Sequence, residues 1–262
     1  MTALLGMLAW SHAVWAQTEI ESPFVVDRDK VLESTHVIAI ASVLTDPQID
    51  RDDSADQYAA LVAEQLRQSG YTVIPSEAYT EILDMMIDQA GGIYDPVTGK
   101  RDDEKHSLVT KLAKREFRLQ HDFDAILRPA ILKHAVRYSG GEASWRGITE
   151  AGSKNSAAGR FWLGPGAGFL DALSFIARLE DPDGELWYAS AGGIGLLQLY
   201  DGTSKVVVPV DELLGDTARG ARAVRIALGD LLDAKADSGD LASNGQNAPG
   251  AIQTSAGFRE DK

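Results

Sequence analysis

The sequence predicts an α/β fold: a mixed sheet with flanking helices, an early parallel β-α-β-α unit, a late antiparallel meander and a C-terminal helix. Three observations predict it. An almost wholly apolar, β-branched run at Thr35–Val43 is followed by helical spacing and then a second short apolar run. Two alternating runs flank the turn Asp181-Pro-Asp-Gly184. Finally, Leu214, Thr217, Ala221, Val224, Leu228 and Leu231 fall along one helical stripe.

The elements follow in order. Thr35–Val43 (THVIAIASV) has the composition of a strand covered on both faces. An acidic loop with Asp46, Asp50, Asp52, Asp53 and Asp56 leads to Ser54 and Gln57, which have capping-box spacing. Tyr58, Leu61, Val62 and Leu66 then recur at helical intervals, and Gly70 is a natural residue to end that helix. Tyr71–Pro75 is a short strand. Ser76 opens a second helix carrying Ile82, Leu83, Met86 and Ile87, and Gly91-Gly92 stops it. A right-handed crossover makes the two strands parallel neighbours.

Tyr94–Gly99 is turn chemistry. An amphipathic helix over about 102–120 counts Leu108, Leu112 and Leu119 among its apolar positions. Strands are then predicted at Phe123–Tyr138, Glu142–Glu150, Leu170–Glu180 and Glu185–Leu199. Leu173, Phe175, Ala177 and Leu179 share one face of the third of these, with Ser174 and Arg178 on the other. Pro129 requires its strand either to begin late or to place one missing N–H where no partner needs it. Gly192-Gly193 predicts a bulge or a close backbone approach. Val210–Lys235 closes the fold as a helix, in which Gly215, Gly220 and Gly229 argue against one uninterrupted rod.

Both ends of the chain differ from this middle. Residues 3–10 are a short apolar run, too short to span a bilayer, and Val14 and Ala16 stand where signal peptidase favours small residues. The expected layout is a signal peptide at 1–16, a polar lead-in at 17–34, one α/β domain at 35–235 and a disordered tail at 236–262. The predicted location is periplasmic or otherwise exported. No other segment has the length and apolarity of a transmembrane helix.

Of 262 residues, 39 are acidic and 25 are Lys or Arg, a net charge of −14. That balance speaks against nucleic acid or an anionic membrane as the ligand, because phosphate binding needs clustered cations. With no cysteine, a disulfide framework, a thiolate metal site, a cysteine nucleophile and a lipid-modified N-terminal cysteine are excluded.

The residue patterns that carry chemistry do not assemble into a known motif. His12, His36, His106, His121 and His134 have no zincin spacing, although His121 and His134 with a carboxylate are worth testing as a metal site. No G-x-S-x-G elbow is present, and Ser190 lies in a strand pattern. Gly164–Gly168 precedes a strand rather than joining a strand to a helix, so it is not a dinucleotide loop. The acidic loop lacks the Gly and the bidentate Glu of an EF-hand, and Asp181–Asp183 reads as a turn. We therefore expect no catalytic residue, metal or cofactor.

The most unusual segment is Gly152–Gly168, a long loop of small residues with Phe161, Trp162 and Leu163 embedded in it. Loops of that length are uncommon in compact domains unless they work or move. Phe161, Trp162 and Leu163 are the candidate partner-binding residues, aromatic anchors being frequent at interfaces. Packing of the three against the core is the competing expectation.

Three motifs resemble a group of bacterial envelope proteins that includes curli-secretion lipoproteins, outer-membrane activators of penicillin-binding proteins and related lipoproteins. These are the step Leu66-Arg-Gln-Ser-Gly70-Tyr71-Thr-Val73-Ile74-Pro75, the strand entry Asp124-Ala125-Ile126-Leu127, and the hairpin Leu179-Glu-Asp181-Pro-Asp-Gly184-Glu-Leu186-Trp187. The resemblance covers Thr35 to Lys235. It implies a non-enzymatic protein that binds other envelope components, and it transfers no functional residue. The chain departs from the group in lacking the lipobox cysteine. The alternatives are an enzyme, such as a hydrolase, with an unrecognised site, and a cation- or small-ligand-binding module built on the acidic loop.

Overall fold

The computed structural model describes residues 22–47, 49, 54–154 and 166–244. Helix α1 (Arg28–Ser34) leads into β1 (Val37–Ile40) and β2 (Leu44–Thr45); α2 (Ser54–Gln68), β3 (Thr72–Ile74), α3 (Ser76–Gln89) and α4 (Asp103–Gln120) follow. The long strand β4 (Ala125–Ser139), the short pair β5 (Glu142–Trp145) and β6 (Ile148–Ala151), then β7 (Ala167–Glu180) and β8 (Leu186–Leu196) complete the main sheet. A small hairpin, β9 (Gln198–Asp201) with β10 (Ser204–Val207), precedes α5 (Val210–Leu214) and α6 (Thr217–Asn244). This is the predicted mixed sheet, with β1 parallel to β3 and β4, and β4, β7 and β8 antiparallel in series.

Strand β4 is the axis of the molecule. Antiparallel β7 occupies one edge from Ile126 to Ser139, and the other edge carries β1, then β2, then the end of β5. Pro129 fits this edge. The carbonyls of Leu127 and Ile131 accept from the N–H groups of Ala41 and Asp46 at 2.8 and 3.0 Å, so by alternation Pro129 turns its backbone to the same side. There it falls between the last β1 pair, Ile40 with Leu127, and the first β2 pair, Leu44 with Ala130. The missing N–H costs nothing in that gap, and the strand does not begin late.

Helices α1, α2, α5 and α6 cover one face of the sheet. Ile38, Ile40, Leu127, Ile131, Phe175 and Leu179 pack there against Tyr58, Leu66, Val224 and Leu228. Helices α3 and α4 cover the start of the other face through Tyr79, Ile82, Ala113 and Phe117. Gly70, at φ 88, ends α2 as the sequence requires, with the N–H of Tyr71 returning 3.1 Å to the carbonyl of Leu66. Gly192-Gly193 serves both predicted roles. A Cβ on Gly192 would strike the Ala223 carbonyl of α6, and the β7–β8 register shifts between Leu173 and Ser174.

Several expectations are corrected. Leu108, Leu112 and Leu119 point outward, while Val109, Ala113 and Phe117 are buried. The aromatic stripe prevails because Phe117 meets Tyr79 and Phe123 at ring distances of 5.4 and 5.3 Å. The single strand predicted over Glu142–Glu150 is a hairpin, β5–β6, turning on Arg146 (φ 41) and Gly147 (φ 76). The strand predicted over Glu185–Leu199 ends at Leu196, and Gln198 opens the β9–β10 pair. The closing helix breaks at Gly215-Asp216, where the Asp216 carboxylate accepts from the N–H groups of Ala218 and Arg219 at 3.0 and 3.1 Å and starts α6 afresh. Helix α6 then runs to Asn244, beyond the Lys235 boundary. The fold also starts before Thr35: Phe24 bridges to Tyr188 at the edge of β8, and Val31 and Leu32 of α1 lie in the core.

Candidate partner-binding surface

Phe161, Trp162 and Leu163 lie outside the described residues, but both stems of their loop are in place. On the way in, the Gly152 N–H donates to the Gly141 carbonyl at 2.9 Å, Tyr200 N–H donates to the Gly152 carbonyl at 2.7 Å, and Lys154 N–H donates to the Tyr200 carbonyl at 3.1 Å. On the way out, the Gly166 carbonyl accepts from Gly140 N–H at 3.1 Å. Gly152 is required because a Cβ there would overlap the Tyr138 ring, which packs 5.2 Å from that of Tyr200. The loop is thus anchored where the β4–β5 turn meets β9.

At this distal end the two faces of the β4–β7 ribbon part company. One is closed by the β5–β6 hairpin, with Val136, Tyr138, Leu170 and Ala172 packed against Trp145 and Ile148. On the other face the helical layer stops at Ile131 and Leu173. Beyond them Ala135 and Arg137 are exposed, Phe169 is 62% exposed, and Val207 on β10 is 75% exposed. The Lys205 ammonium ties this surface together, donating to the Phe169 carbonyl at 2.7 Å and lying 6.0 Å from the centre of the Tyr200 ring. Asp171 accepts from Lys133 at 3.1 Å and from the Gln198 amide at 3.2 Å. Large apolar side chains bordered by held charges are the composition of a contact surface. Sequence reasoning missed Phe169 and Val207 because alternation alone did not show that their face lies past the end of the helices.

The other candidate residues are scattered. His121 caps the end of α4 and lies against the Phe117 ring at 4.6 Å. His134 is about 30 Å further along β4 than Ala125, at ~3.3 Å per residue, so the two histidines do not meet. His134 Nε2 instead pairs with Ser174 Oγ at 2.7 Å. Burial, and then the nearby Arg146 charge, hold its pKa below the ordinary imidazole value. Ser174 is fully buried in mid-strand, where its hydroxyl cannot reach a substrate, and no elbow presents it. Ser190 pairs with Ala177 inside the sheet.

Asp46 and Asp56 of the acidic loop are described, whereas Asp50, Asp52 and Asp53 lie outside the described residues. Asp181 is a turn residue, its carboxylate accepting from the N–H groups of Gly184 and Glu185 at 2.6 and 2.7 Å. Among the described residues, no three His, Asp or Glu side chains gather closely enough to hold a metal ion. Nor is any helix among them long and apolar enough to cross a membrane.

Two of the motifs that carry the resemblance noted in the sequence are structural joints. The Asp124 carboxylate accepts from the N–H groups of His36 and Val37 at 2.7 and 2.8 Å and sets the start of β1 beside β4. The Tyr71 hydroxyl donates to the Leu231 carbonyl at 3.2 Å and fixes β3 against α6.

No protein-family model matches the sequence, and no curated protein matches it. Among solved structures, the chain is similar to the PelC dodecamer of Paraburkholderia phytofirmans. One crystal form of a PelC point variant shows 14% identity over 76% of this chain and 90% of that one, with a TM-score of 0.35. A second PelC crystal form shows 11% identity over 76% and 89%, with a TM-score of 0.33. A lipoprotein of Neisseria meningitidis shows 13% identity over 79% and 99%, with a TM-score of 0.32. At these scores the likenesses concern layout at most, and they single out none of the envelope proteins that the motifs resemble.

Proposed function

We propose that this chain is an exported, non-enzymatic component of the cell envelope that works by binding a protein partner. The observation that supports this best is the distal end of the β4–β7 ribbon. Its uncovered face carries exposed Phe169, three residues after the Gly166 stem, and Lys205 of β10, two residues before exposed Val207, donates to the Phe169 carbonyl. A ribbon paired along its whole length that presents an exposed aromatic side chain is suited to a protein contact, in which a few anchors carry most of the binding energy. The N-terminal apolar run with its small residues at Val14 and Ala16 supports export.

The test is site-specific photo-cross-linking in intact cells from positions 162 and 169, with position 29 on α1 as the control. Positions 162 and 169 should capture the same envelope protein and position 29 should not. Trp162→Ala should weaken that capture without lowering the melting temperature. Unprocessed chain in the cytosol, or a large loss of melting temperature in Trp162→Ala, would overturn the reading.

A further inference from the structure

The tip of the β5–β6 hairpin, residues 144–149, is held differently from its root. The root lies in the sheet: Glu142 and Ala143 pair with Ser139 and Tyr138 of β4, and the Glu150 carboxylate accepts from the Leu196 N–H at 3.0 Å. The tip only rests on the sheet face. The Arg146 carbonyl accepts from the Gly193 N–H of β8 at 2.9 Å, and Trp145 and Ile148 leave no room for a Cβ on Gly193. Two features make this closure costly. The Trp145 Nε1–H is buried with no hydrogen-bond partner among the described residues. Arg146 stands at φ 41, a left-handed position that such turns usually give to Asn or Gly.

A titratable ring lies under the tip. His134 of β4 pairs with Ala172 of β7, and Ser174, two residues along, pairs with Gly193. The ring reaches over to Ser174, with Nε2 2.7 Å from a fully buried Oγ. Val136 and Ala172 on either side of it pack against Trp145 and Ile148. From the hairpin, Arg146 is the charge that acts on the ring, while Glu150 is engaged by Arg219 and Arg222. On β7 and β8 the facing residues are Ala172, Ser174, Gly193 and Leu196, none of them charged. Lys133 and Asp171, paired at 3.1 Å, project from the opposite face. Asp46 follows β2 at the edge of β4, with its N–H on the Ile131 carbonyl.

We infer that the tip of the β5–β6 hairpin is an acid-released cover: a proton on His134 sets imidazolium and guanidinium together on a water-poor face, and lifting the tip separates them. While the tip is closed, burial and then the Arg146 charge hold the His134 pKa below the ordinary imidazole value. Lifting the tip admits water and moves Arg146 away, so the open form binds the proton more readily. Closure is therefore fully favoured above the open-form pKa and weakens as pH falls toward the closed-form value. The open tip also gives the Trp145 N–H to water, and it uncovers Val136, Tyr138 and Leu170 on the face opposite Phe169. This device belongs to the chain itself and does not depend on a partner.

The experiment follows amide hydrogen exchange at Gly193 and Phe175 by NMR in the full processed chain, at pH 7 and pH 5, with each rate divided by its intrinsic value at that pH. Gly193 should be less protected than Phe175 at both pH values, and small additions of urea should leave it unchanged, as local opening requires. From pH 7 to pH 5 its protection should fall about fivefold or more. His134→Gln should abolish that fall, and Arg146→Asn, which suits the turn, should lessen it. Equal protection of Gly193 and Phe175 overturns the inference, because the tip then opens only when the whole chain unfolds. So does a Gly193 protection that is the same at both pH values, or a fall that persists undiminished in either variant.

Discussion

The two halves of the β4–β7 ribbon are made of the same strands yet are built for different ends. In the first half both faces are covered, by α2 and α6 on one side and by α3 and α4 on the other, and Phe175, Leu179 and Leu127 are fully buried. In the second half only the face under the β5–β6 hairpin is closed, and Phe169 stands in the open. Two phenylalanines on one face of one strand, six residues apart in sequence, therefore have opposite surroundings, one buried and one exposed. A side chain's role depends on which layer reaches it as much as on its own chemistry.

Substitutions can break this contrast or sharpen it. The largest effect should come from Phe175→Ala, which empties a site stacked 5.8 Å from Tyr58 and should cost about 3–5 kcal/mol in denaturant unfolding. A cost under about 1 kcal/mol would mean that the first half is not the close-packed core described.

An intermediate effect should appear at the boundary between the halves, at His134. Its folded-state pKa is depressed, so the neutral ring is favoured by folding. Its contribution is present above the unfolded-state pKa and is lost as pH falls through the folded value. Between pH 7 and pH 5 the wild-type chain should lose more stability than His134→Gln, measured by urea midpoints. Parallel curves for the two proteins would remove His134 from the balance. The smallest effect on stability should come from Phe169→Ala, within about 0.5 kcal/mol, as for other exposed positions, while its partner capture falls.

The contrast also explains what could be read from the sequence. Local signals translated directly: Asp181-Pro-Asp-Gly184 turned the β7–β8 hairpin, Gly70 ended α2, and the alternation of Leu173, Phe175, Ala177 and Leu179 placed them on one buried face. Where two local patterns competed, tertiary contacts decided. Helix α4 has two apolar stripes, and the one with Phe117 went inward because Tyr79 and Phe123 were there to receive it. The β5–β6 hairpin was hidden because Arg146-Gly147 does the work usually signalled by Asn-Gly, and Gly147 is needed there since a Cβ would come within 2.8 Å of Ile226. Phe161–Leu163 stood out in the sequence by composition and lie outside the described residues, whereas exposed Phe169 and Val207 became visible only when the end of the helical layer and the return of Tyr200 to Gly152 were known.

The unbroken pairing of β4 with β7 from Ile126 to Ser139 has a mechanical consequence. The distal end is the tip of a beam whose root is clamped between two layers of helices, so it cannot reorient without tearing the ladder. A ligand arriving at that tip meets groups already held in position and forfeits little entropy in ordering them. A load drawn along the strands would shear many hydrogen bonds at once rather than unzip them one by one, a geometry suited to a tether as well as to a recognition surface.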